Sequence, residues 1–140
     1  MSSSPESLGH LIKRAQYRHH RALDTQLARL GISLVQWNAL REIARHPGSS
    51  MHGLAEQTFN SDQAFGTLTT RLLRLELIQR TKGTNRANVH TLTEKGEALF
   101  EQGNTVVRSV LEKSFEVLDD AERATLSTLL TKLLTGTDPK

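Results

Sequence analysis

Two short helical segments lie close together between residues 50 and 75, and this spacing constrains the fold more than any other feature of the chain. The first spans residues 50–59, and the second follows Ser61, a residue type that favours helix N-caps. At helical spacing the second segment has one apolar stripe, made of Ala64, Phe65, Leu68, Leu72 and Leu75. Two short helices joined by so few residues predict a helix-turn-helix, although any corner between two helices gives the same pattern.

The residues that follow decide between these alternatives. Residues 77–81 and 88–92 are rich in β-forming side chains, and the polar turn between them contains Lys82, Gly83 and Arg86. This arrangement predicts a two-stranded hairpin with a basic tip. A hairpin directly after a helix-turn-helix is a wing, so the sequence predicts a winged helix-turn-helix.

Longer amphipathic helices are predicted on both sides of this module. Each begins at a residue that favours the N-cap position: Ser4, Ser33, Thr93 and Asp119. Gln36 and Glu122 complete capping boxes, and Gly31 and Gly48 end the first two helices. The predicted fold is therefore mainly α with a small β-hairpin, in one domain over residues 1–140, with helices flanking the winged module at both ends.

Composition excludes several classes of protein. The 140 residues include no cysteine, which excludes disulfides, thiolate zinc sites and cysteine nucleophiles. No apolar run is long enough for a membrane span, and the N-terminus lacks the pattern of a secretion signal, so we expect a cytoplasmic protein. Residues 1–46 carry a formal charge of +4, residues 47–96 carry +2 and residues 97–140 carry −3. A basic region of this kind is typical of nucleic-acid binding.

The outer helices carry more apolar side chains than one small partner would cover. Near the C-terminus the band consists of Leu126, Leu129, Leu130, Leu133 and Leu134. On a monomer such a band would be a large exposed patch, which favours a homodimer. The alternative is that these helices pack only on each other and on the winged module.

The order of the elements and several short strings resemble the MarR family of bacterial winged-helix transcriptional regulators. The strings are Leu92-Thr93-Glu94-Lys95-Gly96 after the wing, Arg71-Leu72 in the second helix of the helix-turn-helix, and Leu77-Ile78 with Arg80 before the wing. The resemblance implies a homodimer joined through the N- and C-terminal helices and a pseudo-palindromic DNA operator. It also implies release by a small aromatic or phenolic effector.

Three positions depart from the family pattern. Glu76 stands where the family usually has glycine, Thr84 replaces an aspartate of the wing, and Thr67 stands where a basic residue is common. If the backbone at Glu76 is left-handed, the side chain there adds a steric cost that glycine would avoid.

The second helix of the helix-turn-helix, the recognition helix, is expected to enter the major groove of DNA. Opposite its apolar stripe lie the predicted contact residues Ser61, Gln63, Thr67, Thr70, Arg71 and Arg74. Amide, hydroxyl and guanidinium groups read base edges, although Arg71 has the alternative of binding a phosphate or a carboxylate within the fold. In the wing, Arg80 and Lys82 are expected to contact phosphates, and Arg86 the minor groove or its flanking phosphates. Residues 47–96 thus form the predicted DNA-binding module, and residues 5–46 and 97–136 the helical dimerisation region.

Other functions are less well supported by the sequence. No cofactor or metal site is predicted, because the histidines lack ligand spacing, although His10, His20 and Glu112 could converge. Motifs of nucleophilic or phosphate-binding enzymes are absent. Tyr17, His20 and Trp37 are candidates to line an effector site, with core packing as the alternative. The favoured function is a sequence-specific regulator of transcription, with repression as the favoured action. The main rival is a winged helix that serves protein–protein contacts alone.

Overall fold

The structure is a computed structural model that describes residues 3–83 and 88–136. The described part contains helices and strands in the predicted order. Their bounds are α1 (Pro5–Leu27), a 3-10 turn (Ala28–Leu30), α2 (Leu34–Arg45), α3 (Met51–Gln57), α4 (Asp62–Arg74), β1 (Ile78–Lys82), β2 (Asn88–Leu92), α5 (Glu94–Phe115) and α6 (Asp120–Thr135). The fold is mainly helical with one antiparallel hairpin, as predicted.

The predicted N-caps are confirmed. Ser33 and Gln36 form a reciprocal capping box at the start of α2, and Asp119 and Glu122 form another at the start of α6. Ser4 and Thr93 cap α1 and α5 by accepting a backbone hydrogen bond. These bonds satisfy amide groups that have no partner within the helix, so local sequence fixes where the helices begin.

The core joins the helix-turn-helix to α2, the base of the hairpin, and the facing parts of α1 and α5. Trp37 is buried within it, as the core interpretation predicted: its indole Nε1 donates to the Phe100 carbonyl at 3.2 Å, and the two rings stack. Gly103 makes this packing possible, since a Cβ there would lie 2.4 Å from the Trp37 ring. The contact fixes α2 against α5, and with it the module against the helical base.

Two positions of the predicted apolar stripe of α4 differ in the structure. Ala64 and Leu75 are exposed, whereas Thr69 is buried with 1% of its surface accessible. Phe65, Thr69 and Leu72 lie four and three residues apart, so they share the face that meets the core. The Thr69 hydroxyl donates to the Gly66 carbonyl at 3.0 Å, which satisfies the polar group and lets a threonine occupy a core position.

The hairpin pairs Ile78 with Leu92 and Arg80 with His90. Its first strand begins one residue later than predicted. Residues 84–87, which include Thr84 and the wing-tip Arg86, lie outside the described residues.

The outer helices contrast with this core. Leu8, Leu11 and Ile12 of α1 are about half exposed, and α6 has no residue classed as buried. Within the described ranges, no helix has the length and apolar character needed to cross a membrane.

Candidate DNA-binding surface

One face of α4 presents polar side chains to solvent along its full length. All six predicted contact residues of this helix are exposed: Ser61, Gln63, Thr67, Thr70, Arg71 and Arg74. Gln63, Thr67, Thr70 and Arg74 recur at intervals of four, three and four residues, so they form a single row. The opposite face is anchored by Phe65, Thr69 and Leu72. The structure thus brings these predicted residues together on one surface.

The side chains in this row have few partners among the described residues. The Thr67 and Thr70 hydroxyls donate to backbone carbonyls one turn earlier, at 3.2 and 3.0 Å, and keep acceptor lone pairs. Ser61 is the N-cap, and its hydroxyl accepts from the Ala64 amide at 3.1 Å. Neither Arg71 nor Arg74 forms an ion pair with any described residue. The alternative in which Arg71 binds a carboxylate of the fold therefore finds no partner in this part of the chain.

A left-handed residue ends the recognition helix. Glu76 has φ of +62°, its amide donates to the Leu73 carbonyl, and the Leu77 amide donates to the Leu72 carbonyl. This pattern is a Schellman motif, in which glycine is the preferred left-handed residue. The backbone is thus left-handed where the family usually has glycine, and Glu76 carries the steric cost.

The string that follows the wing holds the same end of α4. The Thr93 hydroxyl donates to the Glu76 carbonyl at 2.7 Å, and the Lys95 ammonium donates to the Leu75 carbonyl at 3.1 Å. Gly96 lies so close that an added Cβ would be 1.9 Å from the Leu77 carbonyl oxygen. The Leu92–Gly96 string therefore fixes the end of the recognition helix to the start of α5. Sequence reasoning found the string but not these contacts.

A histidine joins the other end of α4 to the preceding helix. The His52 imidazole lies between two carboxylates: Nδ1 is 2.8 Å from Asp62, in the first turn of α4, and Nε2 is 2.8 Å from Glu56. The hydrogen bond to Asp62, with the charges of Asp62 and Glu56, raises the pKa of His52 above its ordinary value of 6.5. The cluster is exposed and orients α4 from its N-terminal end. Only the spacing of four between His52 and Glu56 was visible in the sequence.

The turn between α3 and α4 contains a second left-handed residue. Phe59 has φ of +60°, and the Phe59 and Asn60 amides donate to the Glu56 and Ala55 carbonyls. This is again a Schellman motif, and its aromatic side chain is 97% exposed. Both helices of the helix-turn-helix thus end in one geometry without glycine.

The wing places further basic groups beside the module. Arg80 and Lys82 lie two residues apart on β1, share one face of the hairpin and are exposed. The Arg80 guanidinium donates from Nε to Nε2 of the buried His90 at 3.4 Å. Burial, together with the Arg80 charge, lowers the pKa of His90 below its ordinary value of 6.5.

Other predicted sites are not assembled by the structure. Within residues 3–83 and 88–136, no three His, Asp or Glu side chains are grouped so as to hold a metal ion. A cavity of about 400 Å³ lies between α2, β2 and α5, and an apolar groove of about 800 Å³ lies between α5 and α6. Neither is lined by Tyr17, His20 or Trp37.

The chain matches known proteins over most of its length. A sequence model of the MarR family matches residues 30–87, from the start of α2 to the wing. The HTH-type transcriptional repressor NicR of Pseudomonas putida is 28% identical over 131 residues, which cover 92% of this chain and 83% of NicR. A mutant MarR from E. coli, solved with operator DNA, superposes with a TM-score of 0.80 at 27% identity, covering 91% of this chain and 94% of that one.

Over residues 30–87 this chain is therefore similar to the MarR family. The family consists of transcriptional regulators, which favours a DNA-binding regulator over a winged helix used only for protein contacts. A MarR family protein from Mycobacterium tuberculosis, solved with p-aminosalicylic acid, has a TM-score of 0.77 and 26% identity. That comparison covers 91% of this chain and 98% of the other. The MarR fold therefore extends beyond the winged module to the flanking helices.

Proposed function

We propose that this chain is a sequence-specific repressor of transcription that binds double-stranded DNA as a homodimer on a pseudo-palindromic operator. The observation that carries the proposal is the polar face of α4, exposed over its full length and fixed at both ends. A rigid helix with unoccupied hydrogen-bonding groups suits the major groove, whose base edges offer a distinct donor and acceptor pattern. Repression is supported by the similarity to the transcriptional repressor NicR. DNA binding is supported by the similarity to MarR, which was solved with operator DNA.

The predicted contacts divide into two classes. Gln63, Thr67 and Thr70 face base edges, where amide and hydroxyl groups discriminate sequence. The two arginines of α4 bind guanine edges or the flanking phosphates. Arg80, Lys82 and Arg86 of the wing contact phosphates and the minor groove, which adds affinity and register without sequence information.

The homodimer joins the chains through α1, α5 and α6. The groove between α5 and α6 is lined by apolar side chains, chiefly Leu111, Phe115, Leu126, Leu130 and Leu134. Further apolar side chains of α1 and α6 are exposed, among them Leu8, Leu11, Leu129 and Leu133. A second copy of the chain would cover them, and two-fold symmetry would then present two recognition helices to two half-sites.

A small aromatic effector is supported by the relative that was solved with p-aminosalicylic acid. We place it in the cavity between α2, β2 and α5, where the winged module meets the helical base. Phe100, Leu92 and Ile43 supply apolar walls, and Glu97 and Glu101 supply two carboxylates. Those charges favour a neutral phenol over an aromatic carboxylate. Repression of this kind requires no catalysis, and a bacterial DNA target supports a cytoplasmic location.

The test is selection of bound sequences from random duplex DNA by the purified protein, repeated at two salt concentrations. We expect a two-fold symmetric motif with half-sites about one helical turn apart. Enrichment of no motif, with weak binding that disappears in salt, would refute specific DNA recognition.

Variants separate the two classes of contact. Gln63→Ala is expected to relax the preference at one base position by about 1–3 kcal/mol. Lys82→Ala and Arg86→Ala are each expected to weaken binding to all sequences and to lower the log–log salt slope by about one. Arg29→Ala, which removes the same charge outside the module, is the matched control and should leave the slope unchanged.

A further inference from the structure

His90 is an exception on the inner face of the hairpin. Its side chain is 3% exposed, and its neighbours on the same face include the apolar Ile78 and Leu92. Buried strand positions of this kind are usually aliphatic, and a buried imidazole must be neutral or paired. The presence of a titratable ring here calls for a physical reason.

The hydrogen bonding of His90 fixes its protonation. A guanidinium has only donors, so the Nε2 atom that Arg80 approaches must carry a lone pair. The proton of the neutral ring is then on Nδ1. That atom is buried and has no hydrogen-bond partner in the described part of the chain. Because an unpaired buried donor lowers stability, an aliphatic side chain would serve the fold better than His90 does.

The residue that gains from His90 is Arg80. Its Nε is held by the ring, while its Nη groups have no ion pair or hydrogen bond with any described residue. Arg80 is exposed and lies two residues from Lys82 on the same face of β1. Fixing one edge of a guanidinium leaves the other edge oriented for a bidentate contact and reduces the entropy lost on binding.

We propose that neutral His90 is a positioning residue for DNA binding, which holds Arg80 by Nε so that its Nη edge is directed toward a phosphate. This inference rests on the proposed function, since Arg80 must contact DNA for its orientation to matter. His90 itself does not touch the duplex. His90 lowers the stability of the hairpin but orders Arg80 before DNA binds.

Protonation of His90 would release Arg80. The added proton goes to Nε2, which replaces the acceptor with a donor and places a cation beside the guanidinium. Arg80 faces the ring from β1, and Lys82 follows on the same strand. Helices α2 and α5 also pack against β2. The charged residues of these two helices in this region are Arg41, Glu42, Arg45, Glu94, Lys95, Glu97 and Glu101. None of them forms a hydrogen bond or ion pair with the His90 ring.

The direction of the pH effect follows from the lowered pKa of His90. Because its pKa is lowered, the ring of His90 in the folded chain is mostly neutral at pH 6.5 and above, so His90 adds little to the pH dependence of DNA affinity in that range. As pH falls through the lowered pKa, affinity should weaken. A histidine that contacts phosphate directly would strengthen binding over the same range, so the sign distinguishes positioning from contact.

The experiment compares His90→Leu, His90→Gln and the wild type on the selected duplex at pH 7.5. His90→Leu should raise the midpoint of thermal unfolding and yet weaken DNA binding by about three- to tenfold, because Arg80 is no longer pre-ordered. His90→Gln supplies a neutral acceptor and should restore most of the affinity. It should also remove the loss of binding that His90 causes below pH 6.5.

A double-mutant cycle tests whether the effect of His90 on DNA binding depends on Arg80. If His90 acts through Arg80, then His90→Leu should have no further effect on binding in an Arg80→Ala background. Wild-type affinity of His90→Leu, or additive losses in the double variant, would overturn the inference while leaving the proposed function intact. Failure of the wild type to select any duplex would overturn both.

Discussion

The winged module and the outer helices differ in how far their apolar side chains are buried within one chain. In the module, Leu54, Phe65 and Leu72 are at most 1% exposed, so its core closes within one chain. On α6, by contrast, Leu129 is 58% exposed and Leu133 is 63% exposed. The module is thus complete in a single copy, whereas the outer helices need a surface that one copy lacks. The difference supports the proposal that the module recognises DNA and that the outer helices join two copies of the chain.

The largest expected effect comes from charging the outer helices. The double variant Leu129→Glu/Leu133→Glu should raise the dimer dissociation constant at least a hundredfold, about 3 kcal/mol, because unpaired charges would be buried at the interface. Sedimentation velocity at micromolar concentration measures the change. Phe59→Glu is the control, since it charges an equally apolar but 97% exposed residue of the module and should leave the dimer intact. A monomeric wild type would remove the basis of the comparison.

Close packing within the module gives the next largest effect. Gly96→Ala should lower the free energy of unfolding by about 2–3 kcal/mol, because the new Cβ would lie 1.9 Å from the Leu77 carbonyl oxygen. Gly66→Ala, in the recognition helix with nothing within 4 Å of the added Cβ, should instead gain up to about 1 kcal/mol. Urea unfolding at one fixed protein concentration measures both. Equal stability of the two variants would show that the contact at Gly96 relaxes freely.

The smallest effect concerns backbone strain. Glu76→Gly should raise the free energy of unfolding by up to about 1 kcal/mol, since the left-handed conformation costs a side chain more than it costs glycine. Glu101→Gly is the matched control, because it removes the same exposed side chain from the middle of α5. There the loss of helix propensity should lower stability by about 1 kcal/mol. The same unfolding assay applies, and a loss of stability in Glu76→Gly would refute the account of that turn.

Local sequence signals predicted much of the fold. The caps at Ser33, Ser61, Thr93 and Asp119 were visible because a capping side chain bonds an amide two or three residues away. The order of helix, turn, helix and hairpin was visible for the same reason, since periodicity and turn chemistry are local. The polar row of α4 followed from the position of its apolar stripe, and its contacts with DNA remain predictions.

The support around that row could not be predicted, because it joins residues distant in sequence. His52 meets Asp62 across the helix-turn-helix, and Lys95 reaches a carbonyl twenty residues earlier. His90 meets Arg80 only once the hairpin has formed in its observed register. The burial of Thr69 could not be predicted either: its hydroxyl bonds a carbonyl in the same helix, but which face of α4 meets the core is decided by the tertiary fold. Arg86 lies outside the described residues and stays a prediction.

The Leu92–Gly96 string joins the long helix α5 rigidly to the recognition helix α4. Backbone, hydroxyl, ammonium and a missing Cβ all meet at the last turn of α4. A tilt of α5 would therefore move α4 with it, because no loop between them would absorb the change. In a two-fold assembly, a change of a few degrees at the shared base would alter the distance between the two α4 helices. In the proposed dimer, the spacing between the two recognition helices would therefore follow a change in the helical base.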